Sequence, residues 1–303
     1  MSARLAIDLG VRELKLVEGD GRRLLRHAEL LLPDGAIVDG APTPLLTASL
    51  RAAVEEGAFT ARSVRVAISE GGSAFRDFRL PRIPASELSA AVAFEGRRLI
   101  PMEAEDVYFA WHATRDPHGY AIYLVATHRA MIDGIVAAVS AAGLSIEHID
   151  LKPLALARGM GLANGLLLEW GAQEATLVLV TSGRPRFFRS FQLDSPADDY
   201  LAQLDELSLS VNALVKFMRG AAPDVTIGPD TPLALGGRFA FAADAARDAA
   251  ERFSFSIVQP PLPVKAPAGF PWQAHFAGIG LLLQERWAER LTPSQGGDNR
   301  VAA

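Results

Sequence analysis

Two stretches of the chain, residues 5–26 and 166–189, repeat one pattern, and no other feature restricts the fold as much. The first reads Leu5-Ala6-Ile7-Asp8-Leu9-Gly10, a turn, Leu14-Lys15-Leu16-Val17-Glu18, the turn Gly19-Asp20-Gly21, then Leu24-Leu25-Arg26. The second reads Leu166-Leu167-Leu168-Glu169-Trp170-Gly171, a turn, Thr176-Leu177-Val178-Leu179-Val180, the turn Ser182-Gly183, then Phe187-Phe188-Arg189. Asp8 and Glu169, Gly10 and Gly171, and Leu16 and Leu177 are each 161 residues apart. Short apolar runs joined by glycine turns predict a meander of antiparallel strands. Two copies half a chain apart predict a duplicated domain, with two acid-and-glycine turns facing one cleft.

The segments between the copies alternate helix and strand patterns. Leu45, Leu46, Ser49, Leu50 and Val54 recur at helical spacing before Gly57. Residues 64–68 and 75–80 alternate as strands around Glu70-Gly71-Gly72-Ser73. Pro81-Arg82-Ile83-Pro84 is a rigid elbow, after which Ser86 is the expected cap of a helix ending at Pro101. Phe94 and Leu99 of that helix are expected in a core, and Arg97 and Arg98 on a solvated face. Residues 107–112 and 120–127 predict a hairpin, residues 131–139 an amphipathic helix, 146–151 a strand and 153–160 a helix. Past the second meander come a long helix over 198–218, a strand 232–237 ending in Gly236-Gly237, a helix over 240–253, a proline-rich connection and a last helix over 278–290.

Composition narrows the function. The chain has 303 residues, 50% hydrophobic and 21% charged, so it can bury the cores of two domains. A net charge of −5 gives no electrostatic case for nucleic acid or an anionic membrane surface. With no cysteine there are no disulfides or thiolate metal sites. The six histidines show no metal-ligand spacing, and no serine-hydrolase elbow or P-loop occurs. No run of about 20 apolar residues could span a bilayer, and the N-terminus enters a strand directly. A cytoplasmic protein is expected.

The order of motifs resembles the PilM proteins of type IV pilus assembly, which are actin-like and akin to FtsA. Ala6-Ile7-Asp8-Leu9-Gly10 with Leu14-Lys15-Leu16-Val17-Glu18 looks like that family's opening motif. The run from Phe75 to Tyr108 is the most specific, with Arg79-Leu80-Pro81, Glu87-Leu88 and Ile100-Pro101-Met102-Glu103. Asp133, Ala142-Gly143-Leu144 and Asp150-Leu151-Lys152-Pro153-Leu154-Ala155 follow, and thinner similarity continues to Gly278-Ile279-Gly280-Leu281. The resemblance implies an α/β, actin-like (duplicated RNase H-like) two-lobed fold. Its first lobe would comprise residues 1–77 and 146–165, an inserted subdomain 78–145, a reduced second lobe 166–291, and a tail 292–303. It also implies a cytoplasmic scaffold, recruited to the inner membrane, that captures the N-terminal tail of PilN between the first lobe and the insert. A second copy of the chain is a further candidate partner. The actin-like cytoplasmic domain of the type II secretion protein GspL fits the same description, and the motifs do not separate the two.

Actin-like proteins cradle a nucleotile's phosphates with backbone N–H groups at the two glycine turns, and a carboxylate on each turn holds Mg²⁺. By the resemblance, the corresponding residues here are Asp8, Gly10, Arg12, Lys15, Glu169, Gly171, Gly236 and Gly237. The departures are concentrated at the site. Val11-Arg12-Glu13 stands where the family has hydroxyl residues, Glu169 replaces an aspartate, and Gln192-Leu193-Asp194-Ser195-Pro196 leads straight into the long helix, leaving out most of the adenosine-clamping subdomain. These departures predict a scaffold without ATP hydrolysis and without tight ATP or Mg²⁺ binding. Arg12, pairing with phosphate, is the residue that would sustain weak binding. The rival reading is an ATP-binding actin-like switch or ATPase, or a sugar kinase on the same fold.

Overall fold

The computed structural model describes residues 2–38, 40–221, 224–240 and 244–283. The sequence-expected helix beyond 283 and the tail 292–303 lie outside the described residues.

The first meander forms β1 (Arg4–Leu9), β2 (Glu13–Gly19) and β3 (Leu24–Leu31). A two-residue pair, β4 (Ile37–Val38) and β5 (Ala41–Pro42), precedes α1 (Pro44–Glu56). Thr43 caps α1 through its side chain, and Pro44 fills the first helical position, where no N–H is needed. β6 (Ser63–Ile68) then joins β1 in parallel.

Next come β7 (Ser73–Pro81), α2 (Ala85–Leu99), β8 (Val107–Asp116) and β9 (Gly119–His128). The three strands form a separate sheet in the order β7-β9-β8, with its own apolar core including Leu88, Val92, Trp111 and Leu124. Two expectations fail in α2. The helix begins at Ala85 behind Pro84 and has no side-chain cap, so Ser86 is an internal residue. Its buried stripe is Leu88, Val92 and Gly96, four residues apart. Phe94 lies about 200° around the helix from Val92 and is 70% exposed rather than in a core. Gly96 is required where the helix meets the sheet, because an added Cβ would come within 2.9 Å of Leu124 Cδ2.

α3 (Arg129–Ala141) packs Ile132, Ile135 and Val139 with α1 into the first-lobe core. β10 (Ser145–Leu151) completes the first five-stranded sheet, β10-β6-β1-β2-β3, and leads into α4 (Lys152–Met160).

The second meander is β11 (Gly165–Trp170), β12 (Glu174–Thr181) and β13 (Arg184–Gln192). Residues 193–199 hold no helix or strand and pass directly to α5 (Tyr200–Ala221). β14 (Pro232–Gly237), α6 (Ala245–Arg252), β15 (Ser256–Val258) and α7 (Phe276–Leu282) follow. The second sheet, β13-β12-β11-β14-β15, reproduces the strand order and directions of the first. The duplication reaches individual hydrogen bonds: Gly10 N donates to Glu13 O at 2.9 Å, and Gly171 N to Glu174 O at 2.8 Å.

The fold is layered, with α1 and α3, the first sheet, α4 and α7, the second sheet, then α5 and α6. The central layer joins the lobes. Ala6 and Val17 of the first sheet and Leu167 and Val178 of the second share one core with Leu156, Met160, Phe276 and Ile279. α4 and α7 approach so closely that an added Cβ on Gly159 would overlap the Phe276 carbonyl oxygen, and one on Gly280 the Ala155 carbonyl oxygen. Both contacts are with backbone, which cannot rotate away. Gly280→Ala should therefore destabilise the chain by about 2–3 kcal/mol. Urea unfolding should show this as a lower midpoint, whereas an unchanged midpoint would mean that the helices separate freely.

Candidate functional site

Asp8 closes β1 and stands opposite Lys15 of β2, so both side chains leave the same face of the first sheet. Glu169 holds the matching place on β11, opposite Thr176. Lys152 is the first residue of α4, directly after β10. The layering turns all four side chains into the gap between the sheets, where none is more than 4% exposed.

There they form one ionic cluster. The Lys15 ammonium lies 3.3 Å from Glu169 Oε1 and 3.1 Å from Glu13 Oε2. The Lys152 ammonium lies 2.8 Å from Glu169 Oε2 and 3.3 Å from Asp8 Oδ2. Lys152 thus bridges the two turn carboxylates, one from each lobe, and Lys15 joins Glu169 to Glu13. Asp8 Oδ1 has no hydrogen-bond partner.

Burial pushes the Glu169 carboxyl up, but Lys152 and Lys15 outweigh it and hold it at about 2. Burial would discharge the two lysines, yet Glu169 with Glu13 raises Lys15, and Asp8 with Glu169 raises Lys152 well above the usual range. Asp8 goes the other way: burial, which Lys152 only partly offsets, raises it. Lys152 also sits at a helix N-terminus, an unfavourable place for a cation. Its position there rests on the two acids.

The remaining residues expected at the site are arranged around packing. Glu13 reaches across the gap to the second turn, and a Cβ added on Gly171 would lie 2.9 Å from its Oε2. That carboxylate lies against the glycine of the second turn. Gly10 turns tightly over the Glu13 carbonyl. Arg12, expected as a phosphate partner, pairs with Asp34 at an exposed position. Gly236 is closely covered by Met160 and Phe276, and Gly237, at φ +73°, by the backbone of Trp170, so this pair serves the packing of β14 rather than an open wall. His275 is buried beside His27, with both ring nitrogens unpartnered, and burial together with Lys15 lowers it to about 3. Among the described residues, no group of three or more His, Asp or Glu is arranged to hold a metal ion.

Sequence reasoning missed Lys152 as a site residue. The available signal was compositional: the chain has only four lysines among 30 basic residues, and Lys15 and Lys152 each stand beside a strand of apolar residues.

A second concave feature opens on the other side of the first turn. A cavity of about 810 Å³ lies between the first-lobe core and the start of the insert. Leu9, Ile68 and Ile135 form its apolar lining, with Gly10, Gly71 and Gly72 contributing backbone. Asp106, His128 and Asp133 line it as well, and Asp133 accepts a 2.9 Å hydrogen bond from the Tyr108 hydroxyl.

The sequence profile of the type IV pilus assembly protein PilM matches residues 6–185. The chain belongs to the PilM family. Its fold is actin-like, and a chain of a PilM-PilN type IV pilus biogenesis complex is 21% identical with a TM-score of 0.71, over 93% of this chain and 98% of that one. The cytoplasmic domain of EpsL, an inner-membrane component of the type II secretion system of Vibrio cholerae, is 14% identical with a TM-score of 0.54, over 98% and 99%. The ethanolamine utilization protein EutJ from Carboxydothermus hydrogenoformans is 11% identical with a TM-score of 0.54, over 93% and 90%. Among curated proteins no sequence matches. As a PilM-family chain it has, among the described residues, no helix long and apolar enough to cross a membrane.

Removing one partner from a buried charge cluster leaves the others uncompensated, so Lys152→Met should lower stability by about 3–5 kcal/mol. Glu169 is depressed in the folded state, so its contribution is complete above its ordinary value of 4.5 and is lost as pH falls toward 2. Lowered His275 likewise costs stability as pH falls below 6.5. Denaturation measured from pH 8 to 2 should show both losses. Glu169→Gln should flatten the limb below 4.5, and an unaltered limb would contradict the ionic assignment.

Proposed function

We propose that this PilM-family chain is a cytoplasmic scaffold of type IV pilus assembly. Its first-lobe groove takes the cytoplasmic tail of an inner-membrane PilN-type protein in extended form, and its interlobe cleft no longer works as a nucleotide site. The observation that carries this reading is a contrast between neighbouring cavities. The cleft is filled by Lys15, Lys152 and Glu13, while about 810 Å³ stands open across the same turn. An apolar lining edged by polar groups and turn backbone suits an extended peptide, whose side chains enter pockets while its main chain finds hydrogen bonds. Recruitment to the inner membrane then comes through the partner.

The filled cleft argues against the switch and ATPase alternatives. Phosphates and Mg²⁺ would have to displace two ammonium groups from buried carboxylates and move Glu13 off Gly171, and uncompensated buried charge costs several kcal/mol. The chain is read as a non-enzyme that needs no cofactor.

Calorimetric titration tests both halves. A synthetic N-terminal tail of the PilN-type partner should bind. Gly71→Trp, at an ordinary φ with an open Cβ position, should weaken it about tenfold or more, equivalent to about 1.4 kcal/mol. Mg·ATP should give no heat. Micromolar Mg·ATP affinity, or tail binding indifferent to Gly71→Trp, would overturn the reading.

A further inference from the structure

The groove wall formed by residues 69–72 belongs to the first lobe, but the second lobe holds it. Ser69, Gly71 and Gly72 line the cavity, whereas Glu70, in the middle of the same turn, does not. Its carboxylate reaches the opposite lobe, where it accepts hydrogen bonds from the backbone N–H of Ser190 and, at 2.6 Å, from the Ser190 hydroxyl. Ser190 lies on β13, the edge strand of the second sheet, whose outward N–H groups have no ladder partner. Glu70 supplies one. The Ser190 hydroxyl is itself positioned by Thr176, 2.8 Å away on β12. Ser69 adds a longer contact, 3.4 Å from its Oγ to Glu174 Oε1 on the second lobe's own turn. Just beyond, Phe75 of β7 packs against Phe188 of β13 with ring centroids 5.2 Å apart.

We infer that Glu70 and Ser190 are positioning residues for the groove. Through them the second lobe, its cleft filled, fixes the backbone of the Gly71-Gly72 wall against which a ligand lies. The inference rests on the reading of the groove as a peptide site. It assigns the reduced lobe a task within that function: two glycines leave the turn little stiffness of its own, and a charge-assisted pair of hydrogen bonds to a sheet edge supplies it. Neither residue needs to touch the peptide.

A double-mutant cycle on the full chain tests the claim, with the labelled synthetic N-terminal tail of the PilN-type partner as probe. Glu70→Ala should weaken tail binding about tenfold. Ser190→Ala, which keeps the backbone N–H, should weaken it less, and the double variant should bind no more weakly than Glu70→Ala, because coupled residues are not additive. Glu70→Asp, which keeps the charge, should recover part of the loss. Hydrogen exchange of the unliganded chain adds a readout that a general loss of stability would not produce: in Glu70→Ala, exchange should quicken over residues 69–73 and stay unchanged over β10. Tail affinity within twofold of wild type in Glu70→Ala, or exchange quickened uniformly over the chain, overturns the inference and leaves the groove reading standing. Failure of the wild-type chain to bind the tail overturns the groove reading, and this inference falls with it.

Discussion

The ionic cluster of Asp8, Glu169, Lys15 and Lys152 governs the relation between the two lobes. Each lobe brings a carboxylate to the end of its first strand, where the duplicated fold places it without choice. Two such charges in a dry gap repel and cannot remain unpaired. A divalent cation is one solution. Here two ammonium groups, both from the first lobe, provide another, and Glu169 of the second lobe contacts both. The link between lobes is therefore intramolecular and needs no added ligand to form.

The surrounding structure is consistent with the gap these contacts close. α4 and α7 can meet backbone to backbone at Gly159 and Gly280 because the lobes they join hold one spacing. Met160 and Phe276 pack onto Gly236 on the second-lobe side of the same interface. Glu70 can cross to the edge of β13 because that edge stays within reach. Opening such an interface would expose the apolar core shared by both sheets as well as the charges, at a cost that grows with the area uncovered. On the outer side of the first turn lies the groove of about 810 Å³.

Much of this was legible in the sequence because duplication leaves a mark that survives substitution. The constant offset between the meanders gave the paired sheets, and acid-plus-glycine at each turn gave the cleft. The PilM-like run from Phe75 to Tyr108 pointed to the insert. What escaped depended on long-range placement. Lys152 reads as an ordinary residue before Pro153, and only the parallel pairing of β10 with β6 carries it to Asp8. Phe94 reads as a core residue by its size and apolarity, but the face of α2 that is buried is set by the β7-β9-β8 sheet, which selects Gly96 instead. Arg12 was legible as a cation near the first turn, while its pairing with Asp34 depends on how the chain returns after β3. Glu70 and Ser190 are 120 residues apart and share no local pattern.

The central claim is that the chain's own ammonium groups hold the position a metal–nucleotide pair would need, and that the neighbouring groove is the working site. A crystal structure of the chain grown with both Mg·ATP and the partner's tail peptide examines both parts at once. The account predicts peptide density along Gly71 and Gly72, with Lys152 still bridging Asp8 and Glu169 and Lys15 still paired with Glu169 and Glu13. Phosphate density between the two turns, with either lysine displaced, would contradict it.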